Sequence, residues 1–233
     1  MSVDRFKLQE REYLEKGAYH FDDLNLETAA GIESRFKLDF TLATIRKFNP
    51  RLVADFGCGE GLLVQSLRSK SINCIGLDLS MQALILIPDR IKGSVIQADI
   101  EKAPLRDASV DAVAMIAILE HIPPPNIPSV LEEAKRITKR GGRLIIRVPS
   151  EKQPLELKHY QHFTETSLRQ ALSLNGLIVE QVIGNHDVSQ DWNEYYSHMG
   201  QASDQMRYQA YQEVFAVCEP AKAKRLLAVC KNI

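Results

Sequence analysis

The residues best suited to chemistry are three glycines that follow a short apolar run. Residues 53–56 have the composition of a buried strand, and Gly57, Gly59 and Gly61 then form a G-x-G-x-G turn before a helix that begins at Leu62. Glycine lets the backbone bend sharply and approach a ligand closely, and the first N–H groups of a helix face outward. The pattern predicts a ligand site at the end of this strand, although a tight turn without a ligand is the alternative.

Two acidic residues near this loop indicate which ligand it holds. Asp78 ends the next apolar run, 21 residues after Gly57, where a carboxylate can accept hydrogen bonds from both hydroxyls of a ribose. A dinucleotide fingerprint would have another glycine at Leu62, and Asp55 adds negative charge just ahead of the loop. That charge opposes a pyrophosphate but suits an ammonium or sulfonium group. The loop therefore favours S-adenosylmethionine, with helix capping as the alternative role of Asp78.

Alternating apolar and amphipathic segments would position these residues. Apolar runs predict strands at residues 52–56, 72–77, 94–97, 112–118, 143–148, 177–183 and 226–230, and helical periodicity predicts helices at 62–70, 81–89, 127–139 and 165–174. Such alternation is typical of a parallel sheet with helices on both faces. The sequence thus predicts an α/β, doubly wound, mostly parallel seven-stranded sheet.

Two segments interrupt this alternation, which suggests a division of the chain. Residues 1–34 are predicted to form a helical lid, including an aromatic loop at 17–23, and residues 35–184 the cofactor-binding core. Residues 185–223 would be a helical insertion that covers the acceptor pocket, although its aromatic residues could equally form a packed helical cap, and 224–233 the final strand. Because both aromatic segments join elements that border the carboxyl edge of the sheet, we expect them to close over the ligand.

Five motifs occur in order over about residues 50 to 184. They are DFGCGEG at 55, GLDLS at 76, QADIEKAPLRDASVDAV at 97, AILEHI at 117 and LEEAKRITKRGGRLIIRVPS at 131. In this order they resemble the class I S-adenosylmethionine-dependent methyltransferases of the small-molecule type. The resemblance implies a Rossmann-like fold and S-adenosylmethionine as the cofactor, with S-adenosylhomocysteine as the product.

The resemblance also assigns residues to parts of the cofactor. Asp55, Gly57 and Gly59 would border its methionine part, while Asp78 and Leu79 would hold its ribose. Asp99 and Ile100 would contact the adenine, although a turn-forming role for Asp99 stays open. Ile116 and Ala117 would contact the cofactor from the end of the fourth strand. With the lid residue Tyr19, the predicted cofactor-binding residues are Tyr19, Asp55, Gly57, Cys58, Gly59, Gly61, Asp78, Leu79, Asp99, Ile100, Ile116 and Ala117.

Three histidines are the candidate catalytic residues. His121 follows the fourth strand, where it could act as a base or as a wall of the site. His159 and His162 precede Phe163-Thr164, in a segment similar to the H-x-x-x-F-T stretch of methyltransferases that act on saccharides, quinones and other hydroxylated metabolites. One of them could instead cap the next helix. We expect no metal here, because two histidines without an acidic partner make a poor ligand set.

Composition and charge narrow the function further. A net charge of −1 argues against nucleic acid as a partner. Methyltransferases that modify the amino groups of bases resemble one another in an N/D-P-P-Y/F tetrad after the fourth strand, but this chain has Ala117–Glu120 there instead. The longest apolar run, residues 112–119, is too short for a membrane span, and no signal peptide is recognisable, so we expect a cytoplasmic protein. It would be a monomer or a homodimer.

The sequence thus predicts methyl transfer to an oxygen or nitrogen of a small metabolite such as a saccharide, a quinone or another hydroxylated acceptor. An RNA or protein methyltransferase is one alternative. A non-catalytic protein that binds S-adenosylmethionine is the other, because a fold by itself does not prove chemistry.

Overall fold

Seven strands form one sheet in the computed structural model, which describes residues 4–187 and 192–233. They are β1 (Leu52–Phe56), β2 (Asn73–Asp78), β3 (Val95–Gln97), β4 (Val110–Ile116), β5 (Thr138–Pro149), β6 (Ile178–Asp187) and β7 (Ala223–Lys231). Their order is β3-β2-β1-β4-β5-β7-β6, and β7 runs antiparallel to both of its neighbours while the other pairs are parallel. The predicted doubly wound, mostly parallel sheet is confirmed.

Nine helices cover this sheet within the described residues. They are α1 (Arg5–Lys16), α2 (Tyr19–Asp22), α3 (Ala29–Arg46), α4 (Leu62–Arg68), α5 (Met81–Ile85), α6 (Ile127–Ile137), α7 (Glu165–Leu174), α8 (Trp192–His198) and α9 (Asp204–Val214). The face covered by α6 and α7 forms one apolar core with the sheet, and α3 and α4 pack on the opposite face. None of the described helices is long and apolar enough to cross a membrane.

Strand register explains why the chemically suited residues converge. Phe56 at the end of β1 is paired with Leu77 of β2 on one side and with Met115 of β4 on the other. These three residues are fully buried, so the apolar runs fix where the strands lie. The loops that follow them leave the sheet at one edge, as expected for ligand sites in open α/β folds.

Several element boundaries differ from the sequence-based predictions. Helix α3 crosses the expected limit at residue 34, and β6 continues to Asp187, beyond the expected end of the core at 184. Antiparallel pairing explains the second difference, because Asp187 is in register with Ala223 at the start of β7. The predicted aromatic loop at 17–23 also contains one helical turn, α2.

The helical insertion occupies a different place from the one expected. Trp192, Tyr211 and Phe215 are buried against Ile32 and Phe36 of α3, where they form an aromatic cluster. The described part of the insertion packs on α3, and none of its residues lines the cavity that α3 borders. The described part of the insertion thus forms a packed helical cap, the alternative that its sequence left open.

Candidate functional site

The glycine loop has the geometry that its sequence suggested. Gly57, Gly59 and Gly61 have φ values of 72°, 52° and 84°, a region that other residues rarely adopt. A Cβ on Gly57 would lie 2.6 Å from Cδ1 of Ile118, and one on Gly59 would lie 2.8 Å from the hydroxyl of Tyr13. At these two positions the absence of a Cβ lets Ile118 and Tyr13 pack directly against the backbone of the loop.

Asp78 holds the glycine loop to the end of β2. Its Oδ2 accepts the N–H of Gly59 at 2.7 Å, and its Oδ1 accepts the N–H of Ser80 at 2.8 Å. The N-cap of α5 is Ser80, whose side chain accepts the N–H of Ala83, so capping is not what Asp78 does here. Burial raises the pKa of Asp78, and these two hydrogen bonds oppose the rise.

A cavity of about 690 Å³ opens beside the loop, within the usual range for small-molecule sites. It brings together most of the predicted site residues, namely Tyr19, Asp55, Gly57, Cys58, Gly59, Asp78, Leu79, Asp99, Ile100, Ile116, Ala117, His121 and His159. Gly61 and His162 are not part of its lining. Gly61 differs because a Cβ there would point at Ile91 in the core, 2.8 Å from its Cδ1, so this glycine serves helix packing.

Asp99 has a structural role as well as a place in the cavity. Its carboxylate accepts the N–H of Glu101 at 2.9 Å and caps a short 3-10 turn at Ile100–Lys102. The turn-forming alternative is thus realised, and it orients the residue at the cavity wall. Ile100 is 7% exposed and belongs to the apolar core.

Asp55 differs in charge from what the sequence suggested. The residue is 3% exposed, and burial, with a smaller contribution from the charge of Asp78, raises its pKa to about 8. The carboxyl group therefore keeps its proton at neutral pH in the ligand-free protein. Negative charge appears at this position only when a cation is placed beside it.

The N-terminal segment closes on the glycine loop through a buried carboxylate. Glu60 is 1% exposed, and its carboxylate lies 2.8 Å from both the backbone nitrogen and the Nδ1 of His20. The ring of Tyr19 lies 4.1 Å from that of His20 and 5.7 Å from that of Tyr13. Sequence reasoning missed Tyr13 and Glu60, because nothing in the local pattern shows that α1 returns to this loop.

Three histidines cluster on the other side of the cavity. His162 Nδ1 is 3.1 Å from the carbonyl oxygen of Gln153, and its Nε2 is 2.8 Å from His159 Nδ1. Since a carbonyl only accepts, His162 carries its proton on Nδ1 and accepts the N–H of His159. Nε2 of neutral His159 then carries a lone pair. His162 lies behind His159 and orients it, instead of facing the cavity as expected.

Burial keeps the two cavity histidines neutral. The rings of His121 and His159 meet edge to face at 4.6 Å. Burial, together with the neighbouring His159, lowers the pKa of His121 to about 4, and burial lowers that of His159 to about 4. Both rings are therefore available to accept a proton at neutral pH.

The acidic partner that the sequence analysis did not find is Glu120. Its side chain is 1% exposed, burial raises its pKa to about 7, and its Oε2 has no hydrogen-bond partner among the described residues. Ligand atoms of Glu120, His121 and His159 lie within 4.8 Å of one another. These three residue types suit a divalent metal, while the sequence-based expectation of no metal stays a prediction.

Asp55 should make the stability of the ligand-free protein depend on pH. Because its folded pKa of about 8 exceeds the ordinary pKa of an aspartate, 3.8, the folded state binds more protons than the unfolded state between these two pH values. The free energy of unfolding then falls as pH rises from about 4 to 8, by up to about 1.4 kcal/mol per pH unit from this group.

Urea unfolding of Asp55→Asn at pH 5 to 8 tests this expectation. The variant should gain stability relative to the wild type as pH rises, whereas Asp89→Asn, at an exposed site, should show no such trend. A constant difference between Asp55→Asn and the wild type would show that Asp55 is ionised in the folded state.

Comparisons with known proteins agree with this geometry. Residues 54–146 match the sequence model of a family described as a methyltransferase domain. A ubiquinone biosynthesis O-methyltransferase of Nitrosomonas europaea is 31% identical over 140 residues, which cover 57% of this chain and 59% of that protein. A demethylmenaquinone methyltransferase of Thermotoga maritima is 30% identical over 132 residues, covering 55% and 56%. The chain thus spans less than two thirds of the length of these curated relatives.

A solved structure supports the fold over a longer stretch. A protein of Thermotoga maritima described as an S-adenosylmethionine-dependent methyltransferase superposes with a TM-score of 0.64 at 18% identity, covering 96% of this chain and 98% of that one. At this identity the likeness concerns the fold. Residues 54–146 thus match a methyltransferase domain, and the fold is that of a solved structure described as an S-adenosylmethionine-dependent methyltransferase.

Proposed function

We propose that this chain transfers a methyl group from S-adenosylmethionine to a hydroxyl group of a small metabolite. One observation carries the proposal: the glycine loop with its Asp78 carboxylate and the neutral ring of His159 open into the same cavity. A nucleoside-binding half and a proton-accepting half therefore face each other. The names of the two curated relatives, both methyltransferases connected with quinones, support an acceptor with hydroxyl groups.

The residues present fit the cofactor. Side chains at Gly57 and Gly59 would collide with Ile118 and Tyr13, so the loop keeps its shape beside the cavity only because both positions lack a Cβ. Each oxygen of Asp78 accepts a single backbone N–H and keeps a lone pair for a ribose hydroxyl. Asp55 is a buried acid that ionises when the cofactor's ammonium or sulfonium lies near it.

The chain's contribution to the reaction is mainly orientation and proton transfer. S-adenosylmethionine, when bound, would supply an activated methyl group for in-line displacement, in which the bond from carbon to sulfur would break as the bond from carbon to the acceptor oxygen formed. His159 Nε2 takes the proton of the acceptor hydroxyl, and His162 holds the ring by its hydrogen bond to Nδ1. Holding the two reactants in line lowers the activation free energy by about 7 to 11 kcal/mol in favourable cases.

The N-terminal segment would exclude water from this reaction. Tyr19 and His20 line the cavity, and His20 is bound to Glu60 of the glycine loop. Helix α1 adds a hydrogen bond from the hydroxyl of Ser80 to Glu10 and an ion pair of 2.6 Å between Lys158 and Glu12. These contacts join the lid to both halves of the site, so ligand binding and lid closure should be coupled.

Replacing Asp78 with alanine should lower affinity for S-adenosylhomocysteine by about 10- to 100-fold, because charge-assisted hydrogen bonds contribute about 1.5 to 3 kcal/mol. Calorimetric titration measures the change. Asp89→Ala, which removes an acid that is exposed and paired with Lys92, is the matched control. Equal affinity of the wild type and of Asp78→Ala for S-adenosylhomocysteine would show that the ribose does not bind to Asp78.

His159→Gln should lower kcat by about 10²- to 10⁴-fold, since a positioned base contributes that much. Because the pKa of His159 is about 4, kcat of the wild type should stay constant from pH 8 to about 5 and fall only below that. His162→Ala should move this acidic limb to higher pH by exposing His159.

The exposed His198 offers a control for these variants, since His198→Gln should leave both kcat and the pH profile unchanged. Transfer of the tritiated methyl group to a panel of phenols, catechols and sugars provides the assay. An acidic limb that stays in place in His162→Ala would show that His162 does not orient the base.

Hydrogen exchange with and without S-adenosylhomocysteine tests the lid. Residues 17–23 should become more protected when the ligand binds, because Tyr19 and His20 then pack over it. Residues 204–214 should change little, since α9 belongs to the aromatic cluster on α3. Equal protection of residues 17–23 with and without S-adenosylhomocysteine would show that this segment is packed permanently and does not act as a lid.

A further inference from the structure

Several cations border the cavity on the side of the histidines, and three of them come from β5, β7 and α3. Arg147 lies near the end of β5 and is in register with Ile116 of β4, while Arg225 lies at the start of β7 in register with Pro149. Lys37 reaches the same region from α3. Since β5 and β7 lie on the far side of β4 from β1, β2 and β3, this end of the cavity is separate from the nucleoside-binding half.

Arg147 is buried with much of its hydrogen-bonding capacity unused. The residue is 3% exposed, and its Nη1 donates to the carbonyl oxygen of Lys37 at 2.6 Å. Its Nε and Nη2 are shielded from solvent and have no partner among the described residues, and the same holds for Nε of Arg225. A buried guanidinium without acceptors is costly, because it has lost hydration that nothing in the fold replaces.

The described carboxylates balance only part of this charge. Glu33 lies 3.4 Å from Lys37 Nζ and 3.7 Å from His186 Nε2, and no ion pair joins a described carboxylate to Arg147 or Arg225. Elsewhere in the cavity, Lys158 pairs with Glu12 at 2.6 Å. Arg5 also lines the cavity and donates its Nε to the carbonyl oxygen of His159 at 3.1 Å. Positive charge is therefore concentrated around Lys37, Arg147 and Arg225 without being confined to them.

Burial and the positive charge of Arg225 lower the pKa values of the two neighbouring cations. Burial, followed by the charge of Arg225, lowers the pKa of Lys37 to about 8 and that of Arg147 to about 9. Arg225 also acts on His159 and Glu120, so the three cations and the proton-accepting histidine belong to one half of the cavity. An anion between the cations would offset their mutual repulsion.

We propose that the methyl acceptor carries a carboxylate or a phosphate, which binds between Arg147, Arg225 and Lys37. This inference rests on the proposed function, because it names the class of acceptor for the same site. Guanidinium groups bind both oxyanions through two parallel hydrogen bonds, and the unused Nε and Nη2 of Arg147 provide such a pair. The charged end of the acceptor would thereby fix the orientation of its hydroxyl relative to His159.

Calorimetric titration of the protein saturated with S-adenosylhomocysteine tests this proposal. Benzoate and phenyl phosphate are the anionic probes, and benzamide is the neutral probe of similar shape, all at pH 7 and constant ionic strength. At least one anion should bind about tenfold or more tightly than benzamide, and the tighter of the two identifies the preferred oxyanion. Arg147→Met and Arg225→Met should each remove this preference, whereas Arg140→Met, at an exposed position of the same strand, should keep it.

The outcomes separate this inference from the proposed function. Equal binding of anions and benzamide, failure of all three to bind, or a preference that survives in both variants would overturn the anion site. Unchanged S-adenosylhomocysteine affinity in Arg147→Met shows that the variant is folded and that the loss is local. Failure of the wild type to bind S-adenosylhomocysteine would contradict the proposed function instead, and titration of the same probes without it would still measure the anion preference.

Discussion

The Asp78 carboxylate is the group on which the site depends most. By accepting the N–H groups of Gly59 and Ser80, it joins the glycine loop to the end of β2 and to the start of α5. The interaction works because Phe56 and Leu77 are in register, which places both loops at one edge of the sheet. A carboxylate held in this way is rigid before any ligand arrives, and pre-organisation of this kind reduces the cost of binding.

Buried carboxyl groups with raised pKa values lie on both sides of the cavity, Asp55 near Asp78 and Glu120 beside the histidines. Asp55 is buried with a pKa of about 8 and Glu120 with a pKa of about 7, because the sheet edge removes them from water without supplying a cation within ion-pairing distance. Glu60 is equally buried but is bound to His20 of the N-terminal segment. A buried acid such as Asp55 loses its proton when a cation binds beside it, which suits a site for a cationic cofactor.

Basic groups dominate the histidine side of the cavity. Arg147 has β-sheet neighbours on both sides and α3 above it, so its side chain is held in place although its charge is poorly compensated. A buried charge retained under such conditions is a functional-site candidate more often than a source of stability. The buried cations thus lie where we place the acceptor, beside the histidines and Glu120, whereas Asp55 and Asp78 lie where the cofactor would bind.

The amino-acid sequence by itself determined the sheet, the glycine loop and the acids that follow β1 and β2. These features depend on local apolar runs and on glycine conformation, which neighbouring residues settle. The contacts of Glu60 with His20, of His159 with His162 and of Arg147 with Lys37 were decided by tertiary structure. The first and last of these join residues far apart in the chain, and all three depend on burial and on which helix covers which strand. The aromatic insertion packs on α3 for the same reason, since its apolar partners Ile32 and Phe36 lie on that helix and cannot be identified from the sequence of the insertion.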